Sequence, residues 1–137
     1  MKIVINRCWG VFGLSAKATK RLAELNGRDC YFFVQDYSSR KLTPISPEDA
    51  DAERKYWSAY DIPNPTEKGS DKHFVHYSGS VERTDPKLIQ VVEELGEEAA
   101  SGSLSKLRII EIPEGTAWEI DDYDGMESVE EVHQSWN

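Results

Sequence analysis

The chain predicts a mixed α/β fold: one small sheet that opens with a βαβ unit, carries an extended insertion, and closes with a helix, a β-hairpin and a C-terminal helix. Three observations point there. A short apolar strand, a capped amphipathic helix and a second aromatic strand follow one another within residues 2–34, a second apolar helical stripe recurs at residues 88–95, and a strongly apolar strand at residues 106–112 precedes a turn. A length of 137 residues matches one domain, 1–137, able to bury roughly two-thirds of its unfolded surface.

Taken in order, Ile3, Val4 and Ile5 form a short buried strand, which Cys8-Trp9-Gly10-Val11-Phe12-Gly13 interrupts. Ser15 then suits an N-cap, Leu14, Ala18, Leu22 and Leu25 recur at helical spacing, and Gly27 suits a left-handed cap at the helix end. Tyr31 to Val34 reads as the next strand, so that strand, helix and strand suggest parallel pairing through a right-handed crossover. From about residue 36 to 83 the pattern weakens and Pro44, Pro47, Pro63 and Pro65 gather, which reads as an insertion holding a short helix at Ala52 to Tyr60 and a strand at His73 to Tyr77.

Regularity returns at Thr84-Asp85-Pro86, where a capping residue and a first-turn proline precede Leu88, Val91, Val92 and Leu95. Lys106 to Ile112 is apolar on both faces and is expected as a central strand. Pro113-Glu114-Gly115 should turn it into a hairpin partner at Ala117 to Tyr123, with Trp118 and Ile120 on one face and Glu119 and Asp121 on the other. The spacing of Met126, Val129, Val132 and Trp136 predicts the final helix.

Composition excludes several classes. With 39% hydrophobic and 30% charged residues the chain is not a disordered one. The longest apolar run, Cys30 to Val34, falls far short of the ~20 residues of a membrane span, and the N-terminus lacks a secretory pattern, so a cytoplasmic protein with no membrane partner is expected. Cys8 and Cys30 are too few for a disulfide scaffold or a cysteine-rich zinc site, and read as buried free thiols. No metal and no cofactor is expected.

The net charge of −9 sits at one end of the chain. From Ile109 onward there is no Lys or Arg, while Glu111, Glu114, Glu119, Asp121, Asp122, Asp124, Glu127, Glu130 and Glu131 carry nine negative charges, which leaves the first 108 residues neutral. Such a field repels nucleic acid and attracts a basic protein, for which Asp121, Asp122, Asp124, Glu127, Glu130 and Glu131 are the candidate contacts. A solvated acidic face is the plainer explanation of the same charges.

A second candidate site is the loop before the first helix. Free amides at a helix N-terminus bind anions, so Arg7, Gly10, Gly13 and Ser15 are expected to hold a phosphate while Trp9 or Phe12 stacks on a base, with Lys17, Lys20 and Arg21 adding positive charge. The run lacks the third glycine of a dinucleotide fingerprint and the Gly-Lys-Ser/Thr ending of a P-loop, and a glycine-shaped turn with its aromatics in the core explains it equally. Asp122-Tyr123-Asp124-Gly125 with Glu131 imitates part of a calcium loop, but Ile120 would stand at the first ligand position. His73 and His76, three apart in an expected strand, would point to opposite faces.

Met1-Lys-Ile-Val-Ile-Asn-Arg-Cys-Trp-Gly-Val-Phe-Gly-Leu-Ser15, Arg83 to Gly96, and Ile110-Glu-Ile-Pro to Trp136 resemble blocks of a family of small, uncharacterised proteins encoded by bacteriophages and prophages. The family pattern often has Gly-Gly-Phe where this chain has Gly10-Val11-Phe12. The resemblance implies a phage origin and the cytoplasm of a bacterial host, and carries no catalytic residue. Three functions follow as expectations: a non-enzymatic counter-defence protein sequestering a phosphate-bearing, nucleotide-like signalling ligand; an inhibitor of a basic, nucleic-acid-binding host defence protein; and a small nucleotide-processing enzyme. The sequence leaves the oligomeric state open, a homo-oligomer included.

Overall fold

The computed structural model describes residues 1–66 and 71–132. The fold is mixed α/β: β1 (Lys2–Asn6), α1 (Ala16–Leu25), β2 (Tyr31–Gln35), β3 (Leu42–Pro44), α2 (Pro47–Ala52), β4 (Ser58–Tyr60), a 3-10 turn at Asp71–His73, α3 (Pro86–Leu95), α4 (Glu97–Ala100), β5 (Leu107–Glu111), β6 (Trp118–Tyr123) and β7 (Met126–Glu131). Among the described residues three small antiparallel sheets, β1-β5, β3-β2-β4 and β6-β7, replace the single sheet expected from the sequence.

Helix α1 organises the core because both of its flanks are buried. Ala18 and Leu22 pack with Val4, Phe12, Leu14, Leu88, Val91, Val92 and Leu107, while Ala16 and Ala23 on the other flank pack with Phe32, Ala50, Ala59 and Val75. The small alanines let the β2 sheet and α2 approach closely. Ser15 Oγ accepts from the Ala18 amide at 3.2 Å. At the other end Gly27, at φ 75°, allows paired bonds from the Gly27 amide to Glu24 O and from the Arg28 amide to Ala23 O. Asp85 caps α3 through the Lys87 amide, and Pro86 opens that helix.

The βαβ unit does not form. β1 runs antiparallel to β5, with Ile3 opposite Ile110, whereas β2 lies between β3 and β4. β3 is only a short turn from β2, and Asp36 Oδ1 fixes that turn by accepting from the Ser38 and Ser39 amides, so closing the local pair costs less chain entropy than a crossover. The supposed insertion therefore completes the second sheet and the second core cluster, to which it brings Ala50, Ala59 and Val75. Within it the helix expected at Ala52 to Tyr60 lies earlier: Ser46 caps α2 from the Asp49 amide, Arg54 at φ 51° ends it, and alternation of Trp57 and Ala59 makes the next segment a strand. The strand expected at His73 to Tyr77 reduces to a bridge between Phe74 and Tyr60, with Val75 buried in the second cluster.

β5 is an edge partner of β1 rather than a central strand, with Leu107 buried and Ile109 and Ile110 half-buried. Nor does it form a hairpin with β6. The hairpin is β6-β7, because Asp124 and Gly125 take φ of 52° and 87°, the paired positive values of a two-residue turn that matches strand twist. Met126 to Glu131 is thus strand, not the start of a final helix, and Val129 faces Ile120 across the ladder. His133 and Trp136 lie outside the described residues.

Candidate functional site

The loop before α1 is built for packing. Asn6, fully buried, uses its side chain to join three segments: Oδ1 accepts from the Lys106 amide at 2.8 Å, and Nδ2 donates to Gly125 O at 2.8 Å and Cys8 O at 3.3 Å. A Cβ on Gly10 would collide with Leu104 O, so glycine is required by a close backbone approach. Gly13 O accepts from Gly102 N and Ser105 Oγ, and Phe12 is buried with the Arg83 guanidinium 3.8 Å above its ring.

The anion site read from this loop is not assembled. The Ala16 and Lys17 amides donate to Asp51 Oδ1 and Oδ2 at 2.7 and 3.0 Å, so a carboxylate from α2 already sits on the α1 N-terminus. Ser15 completes the cap. Arg7 points elsewhere, its Nη1 donating to Glu127 O at 2.8 Å. Of the six residues expected to bind the phosphate-bearing ligand, Arg7, Trp9 and Gly10 gather beside the hairpin, Phe12 and Ser15 are buried, and Gly13 is tied by its carbonyl to Gly102 and Ser105.

Glu127 does not belong to the acidic surface expected for a partner. It is 5% exposed, its oxygens receive Arg83 Nη1 and Nη2 at 2.6 and 2.8 Å, and Oε1 also accepts from the Asn6 amide at 2.7 Å. Arg83 donates further to Val4 O and Gly79 O. This buried knot fastens β7 to β1, and sequence reasoning missed it; a glutamate among exposed acids gives no sign that its partner lies 44 residues away.

What remains is an acidic face on the hairpin. Side chains alternate along each strand, so Trp118, Ile120 and Val129 turn to the body, and Glu119, Asp121 and Glu130 turn outward. Glu119 stands directly opposite Glu130 in the ladder, and Asp121 opposite Ser128, whose hydroxyl donates to Glu130 Oε1 at 2.8 Å. Asp122, Asp124 and Glu131 are exposed as well. None of these six carboxylates makes an ion pair among the described residues, where Arg7 is the one cation whose side chain is bonded to the hairpin backbone, through Glu127 O. Asp122 Oδ1 accepts from the Gly125 amide at 2.8 Å, which assigns the calcium-loop imitation to turn formation.

Elsewhere, Asp61 pairs with Arg28 at 3.0 Å and with His73 Nδ1 at 2.8 Å, and these bonds, Arg28's foremost, hold its carboxyl below the usual range. His76 instead stacks on Phe74, so the two histidines do not converge. Cys8 and Cys30 are free and half-buried, and burial pushes the Cys30 thiol up to about 11. Among the described residues no group of three or more His, Cys, Asp or Glu is placed to hold a metal, and no helix is long and apolar enough to cross a membrane.

The outer side of the hairpin therefore presents a row of fixed negative charge. No protein-family model matches the chain, and no curated protein or solved structure matches it.

Proposed function

We propose that this chain is a non-enzymatic binding protein that docks on a basic protein through the outer face of the β6-β7 hairpin. The observation that carries the reading is the uncompensated opposition of Glu119 and Glu130, with Asp121 on the same face. Like charges directly opposite in a ladder destabilise the sheet, and a basic partner relieves that cost while being steered by the surrounding field. A row of carboxylates offers a nucleic-acid-binding protein the charge it is built to meet. The resemblance to small phage-encoded proteins adds a host defence protein as the target class. Sequestration of a phosphate-bearing ligand has weaker support, since the α1 amides are engaged by Asp51 and Arg7 lies apart from them.

The test is an NMR titration of the native protein with hexalysine, and separately with inorganic phosphate, between about 50 and 200 mM salt. Expected are shifts concentrated in β6 and β7 on adding the peptide, weakening with salt, and no response at Ala16 and Lys17 to phosphate. Peptide shifts spread evenly over all acidic segments, or a saturable phosphate response at the α1 amides, would overturn the reading.

A further inference from the structure

Four large apolar side chains stand exposed at one end of the molecule: Trp9 at 64%, Val11 at 60%, Leu104 at 66% and Tyr123 at 70%. Backbone contacts gather them. The Val11 amide donates to Leu104 O at 3.0 Å, the Trp9 ring meets Tyr123 edge-on at 5.7 Å and 73°, and Gly10 is wedged between Leu104 and Gly125 so tightly that a Cβ on either glycine would collide with backbone. Glycine packing and the Asn6 side-chain bonds hold the loop against the hairpin tip, so the patch is presented preformed.

The patch is continuous with the acidic row. Alternation along β6 places Tyr123 on the face of Glu119 and Asp121, with Glu130 across from Glu119. We infer that Trp9, Val11, Leu104 and Tyr123 form the apolar anchor of the docking surface and seat a bulky apolar side chain at the end of a basic, extended segment of a partner protein. The inference rests on the function proposed above, from which it takes the charge of the occupant. Four residue steps of strand run from Glu119 to Tyr123, ~13 Å, so the apolar residue stands three or four extended residues away from the cation opposite Glu119 and Glu130. Exposed clusters of Trp and Tyr beside a charged rim are the usual make-up of binding hot spots.

The probes are two peptides, hexalysine ending in Phe and hexalysine ending in Ser, titrated calorimetrically against the native chain, the Trp9→Ala and Leu104→Ser variants, and the Glu119→Gln/Glu130→Gln double variant. The Phe peptide is expected to bind the native chain about tenfold or more tightly than the Ser peptide. That preference should vanish in Trp9→Ala and shrink in Leu104→Ser, and should persist in the double variant, where both peptides weaken together. Equal affinities on the native chain with both peptides bound, or a preference that survives Trp9→Ala in a folded protein, would overturn the anchor alone. Binding of neither peptide would remove the acidic docking face and the anchor with it. A native dimer that Trp9→Ala converts to monomer by sedimentation would assign the patch to a second copy of the chain and overturn the inference.

Discussion

Arg83 and Glu127 meet in a two-pronged ion pair, Nη1 to Oε1 at 2.6 Å and Nη2 to Oε2 at 2.8 Å, with both side chains more than nine-tenths buried. The pair joins the loop before α3 to β7, and through the Asn6 amide and Val4 O it reaches β1. A hairpin crowded with negative charge is thereby clamped to the body through one glutamate that is neutralised internally.

Removing one partner of a buried pair leaves an uncompensated charge, so Arg83→Met is expected to destabilise the protein by ~3 to 5 kcal/mol in urea unfolding. Adding Glu127→Leu should recover part of the loss. A single variant within about 1 kcal/mol of the native protein would show that the pair does not fasten the hairpin.

Asp51 makes a second long-range clamp. Its carboxylate satisfies the Ala16 and Lys17 amides, and Asp51→Ala should cost ~1 to 2 kcal/mol, with Asp51→Asn intermediate because one acceptor is kept. The urea midpoint measures it; an unchanged midpoint for Asp51→Ala would contradict the capping role.

Local chemistry was readable in the sequence, and partner choice across the chain was not. The Ser15 and Asp85 caps, the left-handed Gly27 and the inward and outward faces of β6 follow from neighbouring residues. The partners of β1 and β2 depend on which distant strand completes each ladder, which a strand-helix-strand spacing does not encode. The second buried flank of α1 escaped notice because Ala16 and Ala23 carry little apolar signal, and their value lies in letting another layer come close. At the candidate site the acids of the hairpin were legible. The burial of Glu127 and the turning away of Arg7 were not, since both arise from contacts between segments more than forty residues apart.

Burial raises the Cys30 thiol to about 11, so its thiolate is scarce at neutral pH and only thiolate reacts. In a Cys8→Ala variant, alkylation of Cys30 by iodoacetamide should rise about tenfold per pH unit from 7 to 10 without levelling. A plateau near pH 8 to 9, the ordinary cysteine range, would contradict a buried thiol.

The most direct measurement of the central claim pairs stability with binding in one variant, Glu119→Gln/Glu130→Gln. Gln keeps an acceptor for the Ser128 hydroxyl and removes the opposed charges. If the acidic face is maintained for a basic partner, the free variant should gain ~0.2 to 1 kcal/mol in urea unfolding, while its affinity for hexalysine falls about 2-fold to 30-fold. A variant that loses stability, or that binds the peptide as tightly as the native chain, would contradict the account.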